Sequence, residues 1–276
     1  MKSTMHRRLT ALLFALFCAS AVDAQTAPDT STQTIGSIPV PEGCIRISQD
    51  SGTFGAWLRN LPLEPPSEPI HLHNGKEKPL QRALYRVIDL PIGDRDLQQC
   101  ADAAIRLRAD FLRSVGRAED IAFTFTSGDT ARYSKWVRGY RPVVRDNSVS
   151  WEKTHRPDSS DSTYHHYLQT VFTYAGSYSL SRELSKVDSI HNVQPGDCFI
   201  EGGFPGHVIM IVDIAIDTTT DDRLLLLAQG FTPAQDIHVI RNPFDDELNP
   251  WYVAGKGTGL LTLEWSFLWS DLYRFR

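Results

Sequence analysis

A cysteine and a histidine about a hundred residues apart are the side chains of this sequence best suited to covalent chemistry. Cys100 lies near the start of a segment with strong helical periodicity, and His207 follows the tight turn Gly202–Gly206 onto the first position of an apolar strand. A helix N-terminus favours a thiolate, the nucleophilic form of cysteine, and a nearby imidazole can accept its proton. The pair therefore predicts a thiol hydrolase that attacks an amide or peptide carbonyl, with Cys100 as nucleophile and His207 as general base.

A third group must orient the imidazole, and Gln229 is the best-placed candidate. It ends the apolar strand that follows the next loop, and we expect this strand to pair antiparallel with that of His207. An amide oxygen there can accept the imidazole N–H and fix the tautomer. Asp213 is the competitor, because it shares a strand face with His207, but it lies about 20 Å along the strand. The predicted catalytic set is Cys100, His207 and Gln229.

Three further side chains are candidates for contact with a substrate. Gln99, next to the cysteine, or a backbone N–H group is suited to stabilise an oxyanion. Arg106 is suited to clamp a substrate carboxylate, although arginines on an amphipathic helix more often form its solvent face. Trp136 belongs to the aromatic and basic segment 133–142, which either lines a cleft or only packs. The predicted substrate-binding residues are Gln99, Arg106 and Trp136.

The histidines outside this set do not predict a metal centre. His71 and His73 form a pair in a loop, and His165 and His166 are adjacent. Neither pair has a matching Cys, His or carboxylate set at a familiar ligand spacing. Thiol hydrolysis needs no cofactor, so we expect neither a metal nor a cofactor.

A helix and an antiparallel sheet are the elements that must position these residues. The helix is predicted from Asp94 or Asp96, either of which can cap it, to about Ser114, and Cys100 then lies near its first turn. An exposed polar insertion is predicted at 144–161. The overall pattern predicts an α+β fold with a helix packed on an antiparallel sheet. Strands are predicted at 84–90, 121–126, 198–200, 208–216, 224–229, 239–240 and 261–267, and one or two further helices at 164–184.

The N-terminus has the pattern of a secretory signal. Lys2, Arg7 and Arg8 precede the apolar stretch 9–22, which is too short for a comfortable membrane span. We therefore expect a periplasmic or secreted protein without a stable membrane span; lipid attachment at Cys18 is the less favoured alternative. The predicted divisions are a signal peptide over 1–24, a flexible linker over 25–38 and a single α+β domain over 39–276.

The net charge of the chain after signal cleavage bears on which partners it can bind. Cleavage after residue 24 removes three basic residues and one acidic residue, which leaves 25 basic against 32 acidic residues and a net charge of −7. An acidic surface argues against nucleic acid as the partner.

Three cysteines remain, and an odd number leaves at least one thiol unpaired. A Cys44–Cys198 disulfide with Cys100 free and three free thiols both fit this count.

Two motifs in the second half of the chain resemble those of a known protein family. Pro195–Asp197 leads into a strand, and Gly206–Val208 begins the next one. They are similar to the Pro-Gly-Asp and Gly-His-Val strands of the NlpC/P60-type cysteine peptidases, over about a quarter of the chain. The resemblance implies a papain-like α+β domain with insertions, and cleavage or remodelling of peptidoglycan stem peptides. Gln99–Asp102 stands in place of that family's Asp-Cys-Ser-Gly box.

Five segments spread over nearly the whole mature chain carry a closer resemblance. They are Cys100–Ala103, Arg106–Ala109, Gly202–His207, Leu227–Gln235 and Asn249–Tyr252. These segments resemble the uncharacterised bacterial family catalogued as domain of unknown function 4846 (DUF4846), which occurs in secreted and lipid-anchored proteins. This resemblance implies a single domain and supplies no mechanism.

These features lead to two hypotheses about function. In the first, the protein is a secreted or periplasmic cysteine hydrolase, an amidase or peptidase that cleaves peptidoglycan-type peptide or amide bonds through Cys100, His207 and Gln229. In the second, it is a non-catalytic cell-envelope protein that binds a glycan, a peptide or another protein. The altered cysteine box favours the second hypothesis, whereas a depressed thiol pKa with fast labelling of Cys100 would favour the first.

Overall fold

A large antiparallel sheet forms the centre of the protein. The computed structural model describes residues 33–276, which belong to one compact unit. The strands of this part of the chain are β1 (Cys44–Arg46), β2 (Leu84–Val87), β3 (Ala122–Thr124), β4 (Thr130–Arg132), β5 (Tyr140–Arg145), β6 (Ser148–Lys153), β7 (Ser185–Lys186), β8 (Cys198–Glu201), β9 (His207–Asp217), β10 (Arg223–Gln229), β11 (His238–Ile240), β12 (Tyr252–Val253), β13 (Gly259–Leu261), β14 (Ser266–Leu268) and β15 (Leu272–Arg274). The main sheet has the order β2-β11-β10-β9-β8-β15-β7, with β1 added to β9 and β12 added to β10.

Five helices accompany these strands in the described residues. They are α1 (Phe54–Arg59), α2 (Cys100–Ser114), α3 (Tyr133–Val137), α4 (Asp161–Tyr174) and α5 (Ser177–Glu183). The β3–β4, β5–β6 and β13–β14 pairs form separate two-stranded sheets. The prediction of an α+β protein with a helix packed on an antiparallel sheet is confirmed at this level. In the described part of the chain, no helix is long and apolar enough to cross a membrane.

The two longest strands, β9 and β10, are apolar almost throughout because both faces of the sheet are covered. Val208 and Met210 pack in the same cluster as the apolar face of α2. Ile209 and Ile211 belong to a second cluster on the other face, which includes Phe267 of the β13–β14 hairpin. The alternation of side chains along β9 therefore assigns each residue of this strand to one of two distinct environments.

Helix α2 begins at Cys100, several residues after the caps predicted at Asp94 or Asp96. The third residue of the helix, Asp102, caps its first turn at the N-terminus, because Asp102 Oδ2 accepts the backbone N–H of Gln99 at 3.1 Å. The end of β10 lies close against this turn: a Cβ on Gly230 would lie 2.8 Å from the carbonyl oxygen of Gln99. Glycine at 230 thus allows the chain to leave β10 alongside the start of α2.

The predicted insertion at 144–161 contains the end of β5, the turn that follows it and the whole of β6, which together with the rest of β5 form a β-hairpin. Strands β5 and β6 pair from Tyr140–Lys153 to Arg145–Ser148, and Asp146, with φ +51°, supports the tight turn between them. The segment is largely exposed, as predicted, and its polar character reflects this exposure.

The domain begins before residue 39, the start that was predicted from the sequence. Ile35 is fully buried, and its backbone N–H donates to the carbonyl oxygen of Leu61 at 3.0 Å. Residues 33–38, assigned to the flexible linker on sequence grounds, are therefore packed against the domain. The predicted signal peptide and the rest of the linker lie outside the described residues.

Cys44, Cys100 and Cys198 are all free thiols in the described structure. The Cys44–Cys198 disulfide, one of the two alternatives left open by the sequence, is not present. Cys44 and Cys198 are buried in the sheet, whereas Cys100 is half-buried. Of the three thiols in residues 33–276, only the one at the start of α2 is therefore both free and partly accessible.

Candidate active site

Cys100 opens into a cleft of about 250 Å³ at the N-terminus of α2. The walls of this cleft come from three places: the start of α2, the junction of α4 and α5, and the turn that precedes β9. We call it the Cys100 cleft. Its lining residues are Asp96, Leu97, Gln99, Cys100, Ala101, Asp102, Phe172, Ala175, Gly176, Ser177, Gly203, Phe204, Pro205, Gly206 and Thr232.

The turn before β9 is fixed by close backbone packing. A Cβ on Gly206 would lie 2.5 Å from the carbonyl oxygen of Glu201 and still closer to Ser177 Oγ, so a larger residue would push the turn away. Ser177 Oγ also donates to the carbonyl oxygen of Gly203 at 3.3 Å. The Gly-rich sequence thus sets the position of the first residue of β9, which is His207.

His207 and Gln229 form the hydrogen bond that the sequence analysis proposed for them. Their strands pair antiparallel, and His207 Nε2 lies 2.8 Å from Gln229 Oε1. Gln229 Nε2 in turn donates to Glu264 Oε2 at 2.6 Å, and Glu264 Oε1 is paired with Lys78 Nζ. A continuous polar chain therefore runs from the imidazole to an ion pair.

The Glu264–Lys78 ion pair determines the tautomer of His207. A carboxylate only accepts hydrogen bonds, so the atom of Gln229 that faces Glu264 must be the amide NH₂ group. The amide oxygen of Gln229 then faces His207 and must receive the Nε2 proton. In neutral His207 the remaining nitrogen, Nδ1, carries the lone pair, so it is the atom able to act as a base.

We expect Glu264→Gln to disturb this tautomer. A glutamine at 264 can present either an oxygen or an NH₂ group, so the Gln229 amide is no longer held in one orientation. Nitrogen NMR of His207 should show the Nε2–H tautomer in the wild type and a mixture of tautomers in the variant. An Nδ1–H tautomer in the wild-type protein would contradict this reading of the polar chain.

The imidazole is enclosed by aromatic rings and is only 2% exposed. Phe231 and Trp265 have ring centroids 5.0 and 5.2 Å from that of His207, and Phe267 stacks at 6.0 Å. Burial lowers the pKa of His207 to about 4, although the hydrogen bond that its Nε2–H donates to Gln229 opposes the shift. At neutral pH the ring is therefore an uncharged base.

The Cys100 thiol is also uncharged at neutral pH. Burial raises the pKa of Cys100 to about 11, and the backbone N–H of Val208 offsets this only in part. The position at a helix N-terminus predicted a lowered pKa for this thiol, and that prediction is wrong because desolvation outweighs the helix dipole. Cys100 lines the same cleft as Gly206, which directly precedes His207, so the thiol lies near the start of β9.

The thiol and the imidazole lie at the same end of β9 but on different faces of the sheet. Val208 faces α2, whereas His207 stacks on Phe267 in the cluster on the opposite face. Among the described residues, no hydrogen bond joins Cys100 Sγ to either ring nitrogen of His207. Cys100 thus lies near the start of the strand that carries His207, and the two side chains face opposite sides of the sheet.

Two buried histidines should make the protein less stable in mild acid. Burial lowers the pKa of His238 to about 4, as it does for His207. The unfolded chain has ordinary histidine pKa values near about 6.5, so between about pH 6.5 and 4 it binds protons that the folded state does not. The free energy of unfolding therefore falls as the pH falls through this window, by up to roughly 3 kcal/mol for each histidine.

Urea denaturation at pH 7 and at pH 4.5 measures this loss. In His238→Asn the loss between the two pH values should be smaller by about half of the histidine contribution, because asparagine can still donate to the carbonyl oxygen of Asp236 without titrating. His166→Asn, a substitution of an exposed histidine, serves as control and should leave the loss unchanged. Equal losses in the wild type and His238→Asn would contradict the prediction.

The predicted substrate-binding residues lie in three different places. Gln99 lines the Cys100 cleft, but its side chain is engaged, because Nε2 donates to Asp96 and Oε1 accepts from Thr232. Arg106 is buried outside the cleft, where Asp110, Gln98 and the carbonyl oxygen of Pro91 hold its guanidinium. Arg106 is therefore a structural residue of α2 and not a substrate clamp in this arrangement.

Trp136 lies apart from Cys100, at the edge of a larger groove beside α4. Its indole N–H donates to the carbonyl oxygen of Thr163, and the Arg141 guanidinium stacks 3.9 Å from its ring. Asp213, the competitor of Gln229, is also remote from the imidazole, since it binds Arg46 and Arg59 towards the other end of β9. Gln229 is thus the partner of His207 among these candidates.

Sequence reasoning missed Glu264, Lys78 and Asp102. Glu264 lies in the short turn between β13 and β14, and Lys78 lies in the irregular segment before β2. Neither position has a periodic pattern that would relate it to His207. Asp102 is the third residue of α2, a common capping position, but the helix start predicted at Asp94 or Asp96 placed it too far into the helix to indicate this role.

The fold and the site define a mixed α/β protein with a free cysteine at a helix N-terminus and a buried histidine–glutamine pair on the adjacent strands. The chain belongs to the family described as a domain of unknown function (4846), whose profile matches residues 35–274. A search of the curated proteins and a search of the solved structures found no match.

Proposed function

We propose that this protein is a cysteine hydrolase, an amidase or peptidase that works in the periplasm or outside the cell on peptidoglycan-type peptide or amide bonds. The observation that carries the proposal is the hydrogen bond of 2.8 Å between His207 Nε2 and Gln229 Oε1, at the strand end against which Cys100 lies. This bond leaves Nδ1 as the base, and the cleft gives a substrate access to the half-buried thiol.

The proposed reaction starts from a neutral thiol and a neutral imidazole. Cys100 Sγ attacks the carbonyl carbon while its proton passes to His207 Nδ1, and backbone N–H groups at the start of α2 stabilise the oxyanion. The C–N bond then breaks, and the leaving amine takes the proton from the imidazolium. Water hydrolyses the resulting thioester with His207 again as base, which releases the acid and restores the thiol.

This reaction requires the thiol and Nδ1 to meet at the end of β9 when a substrate binds. Because the ring lies on the other face of the sheet, this contact requires a shift of the turn at 202–206 that carries the His207 side chain towards Cys100. Catalytic hydrogen bonds are often long or absent without substrate and form in the complex. The resemblance to the papain-like NlpC/P60 peptidases, whose chain order of cysteine and then histidine is the same, supports this part of the proposal.

Trapping of the acyl intermediate tests the proposal. The protein is mixed with a panel of peptide amides and one activated acyl ester, quenched in acid and analysed by intact-mass and peptide mass spectrometry. We expect a single acyl group, located on Cys100 and absent from His207→Asn. Acylation spread over Cys44 and Cys198 as well, or no acylation by any substrate, would contradict the proposal.

A non-catalytic binding protein of the cell envelope is the second candidate function. The observation that favours it is the resting state of the site, in which the thiol is protonated and the imidazole packs on the other face of the sheet. In this case the Cys100 cleft would hold a ligand without cleaving it. Ligand binding without any acyl-enzyme, equal in wild type and Cys100→Ala, is the result expected for this alternative.

A further inference from the structure

A buried carboxylate oxygen without a partner lies in the wall of the Cys100 cleft. Asp102 is 5% exposed, and its Oδ2 accepts the capping hydrogen bond from Gln99 N–H. Its Oδ1 is buried and has no hydrogen-bond partner in the described structure. Buried polar atoms are normally paired, and a buried carboxyl oxygen without a partner is costly, so this oxygen is a candidate acceptor for a cationic or donor group of a ligand.

The charged residues that line the cleft also favour a cationic ligand group. The lining residues include two carboxylates, those of Asp96 and Asp102, and no lysine or arginine. Asp96 lies at the rim with its side chain 48% exposed, and its Oδ1 is occupied by hydrogen bonds from Ala234 and Gln99. A protonated amine is therefore the ligand group best matched to the cleft.

We propose that the Cys100 cleft recognises a free, protonated amino group on its ligand and that Asp102 Oδ1 is the acceptor for this group. Under the proposed hydrolase function, on which this inference rests, the substrate is a short peptide or amide whose acyl residue has an unblocked amino terminus. The volume of about 250 Å³ suits the end of such a peptide. Phe172 and the 83% exposed Phe204 supply the apolar sides.

Burial also governs the charge of Asp102 itself. It raises the pKa of the Asp102 carboxyl well above its usual range, so its surroundings in the cleft wall favour the neutral acid. A protonated amine at Oδ1 would oppose this shift, because a neighbouring positive charge stabilises the carboxylate. The carboxylate and the ammonium group would therefore be stabilised together as an ion pair.

Calorimetry with two matched dipeptide amides tests this proposal on Cys100→Ala, a variant in which no turnover occurs. One dipeptide has a free amino terminus and the other is N-acetylated. We expect the free amine to bind at least about tenfold more tightly. In the double variant with Asp102→Asn the preference should disappear, because asparagine keeps an oxygen for Gln99 N–H but has no charge.

A second double variant, with Glu119→Gln, removes one exposed negative charge away from the cleft and should keep the full preference. Equal affinity for the two peptides, no binding of either, or a preference that survives Asp102→Asn would each overturn the proposal. If the amine preference is found but the wild type hydrolyses neither peptide, the recognition of the amine stands and the hydrolase function fails.

Discussion

Cys100→Ala is expected to lower kcat/KM for the cleaved peptide amide by a factor of about 10⁴ or more. The nucleophile and its base act as a unit in enzymes of this type, so loss of the sulfur removes the covalent route and leaves only the contribution of binding and of the oxyanion donors. Steady-state kinetics on the same substrate, with protein checked for folding by circular dichroism, measures the effect.

The other two thiols provide the controls for this experiment. Cys44→Ala and Cys198→Ala change buried residues of the sheet and should leave kcat/KM within about threefold of the wild-type value, since neither lines the cleft. Turnover in Cys100→Ala that remains close to the wild-type rate would show that the reaction does not pass through this sulfur.

Asp213→Ala is expected to lower the free energy of unfolding by about 3–5 kcal/mol. Asp213 is fully buried in β9, and its carboxylate binds Arg46 at 2.7 Å and Arg59 at 2.5 Å. It also accepts the backbone N–H of Ile214. Its removal leaves two partly buried guanidinium groups without a counter-charge.

Urea denaturation at neutral pH measures this loss. Asp222→Ala, in the exposed loop between β9 and β10, removes the same charge without breaking a side-chain contact and should change the stability by no more than about 0.5 kcal/mol. A loss below about 1 kcal/mol in Asp213→Ala would mean that water replaces the carboxylate as partner of both arginines.

The sequence predicted the parts of the site that depend on local pattern. The apolar strands on either side of a short loop identified β9 and β10 as antiparallel neighbours, and this adjacency led to Gln229 as the partner of His207. The periodic apolar positions identified α2 and the location of Cys100 near its start. These features follow from hydrogen-bond geometry and side-chain periodicity, which are readable along the chain.

The remaining features depend on contacts that no local pattern encodes. Glu264 reaches Gln229 from an irregular turn, so its role in fixing the tautomer appears only in three dimensions. The direction of the Cys100 pKa shift depends on how completely the surrounding elements exclude water, which outweighs the dipole of α2. The role of Arg106 could not be predicted either, because helical periodicity does not reveal that Asp110 and Gln98 bind its guanidinium.

The pH dependence of Cys100 acylation by the activated acyl ester, in the wild type and in His207→Asn, tests the central claim most directly. If His207 Nδ1 serves the thiol as base, the wild-type rate should rise near pH 4, where the pKa of His207 lies, and should level off before a second rise near pH 11, where the pKa of Cys100 lies. His207→Asn should retain only the second rise. Identical profiles for the two proteins would show that the imidazole never reaches the thiol, and would contradict the account.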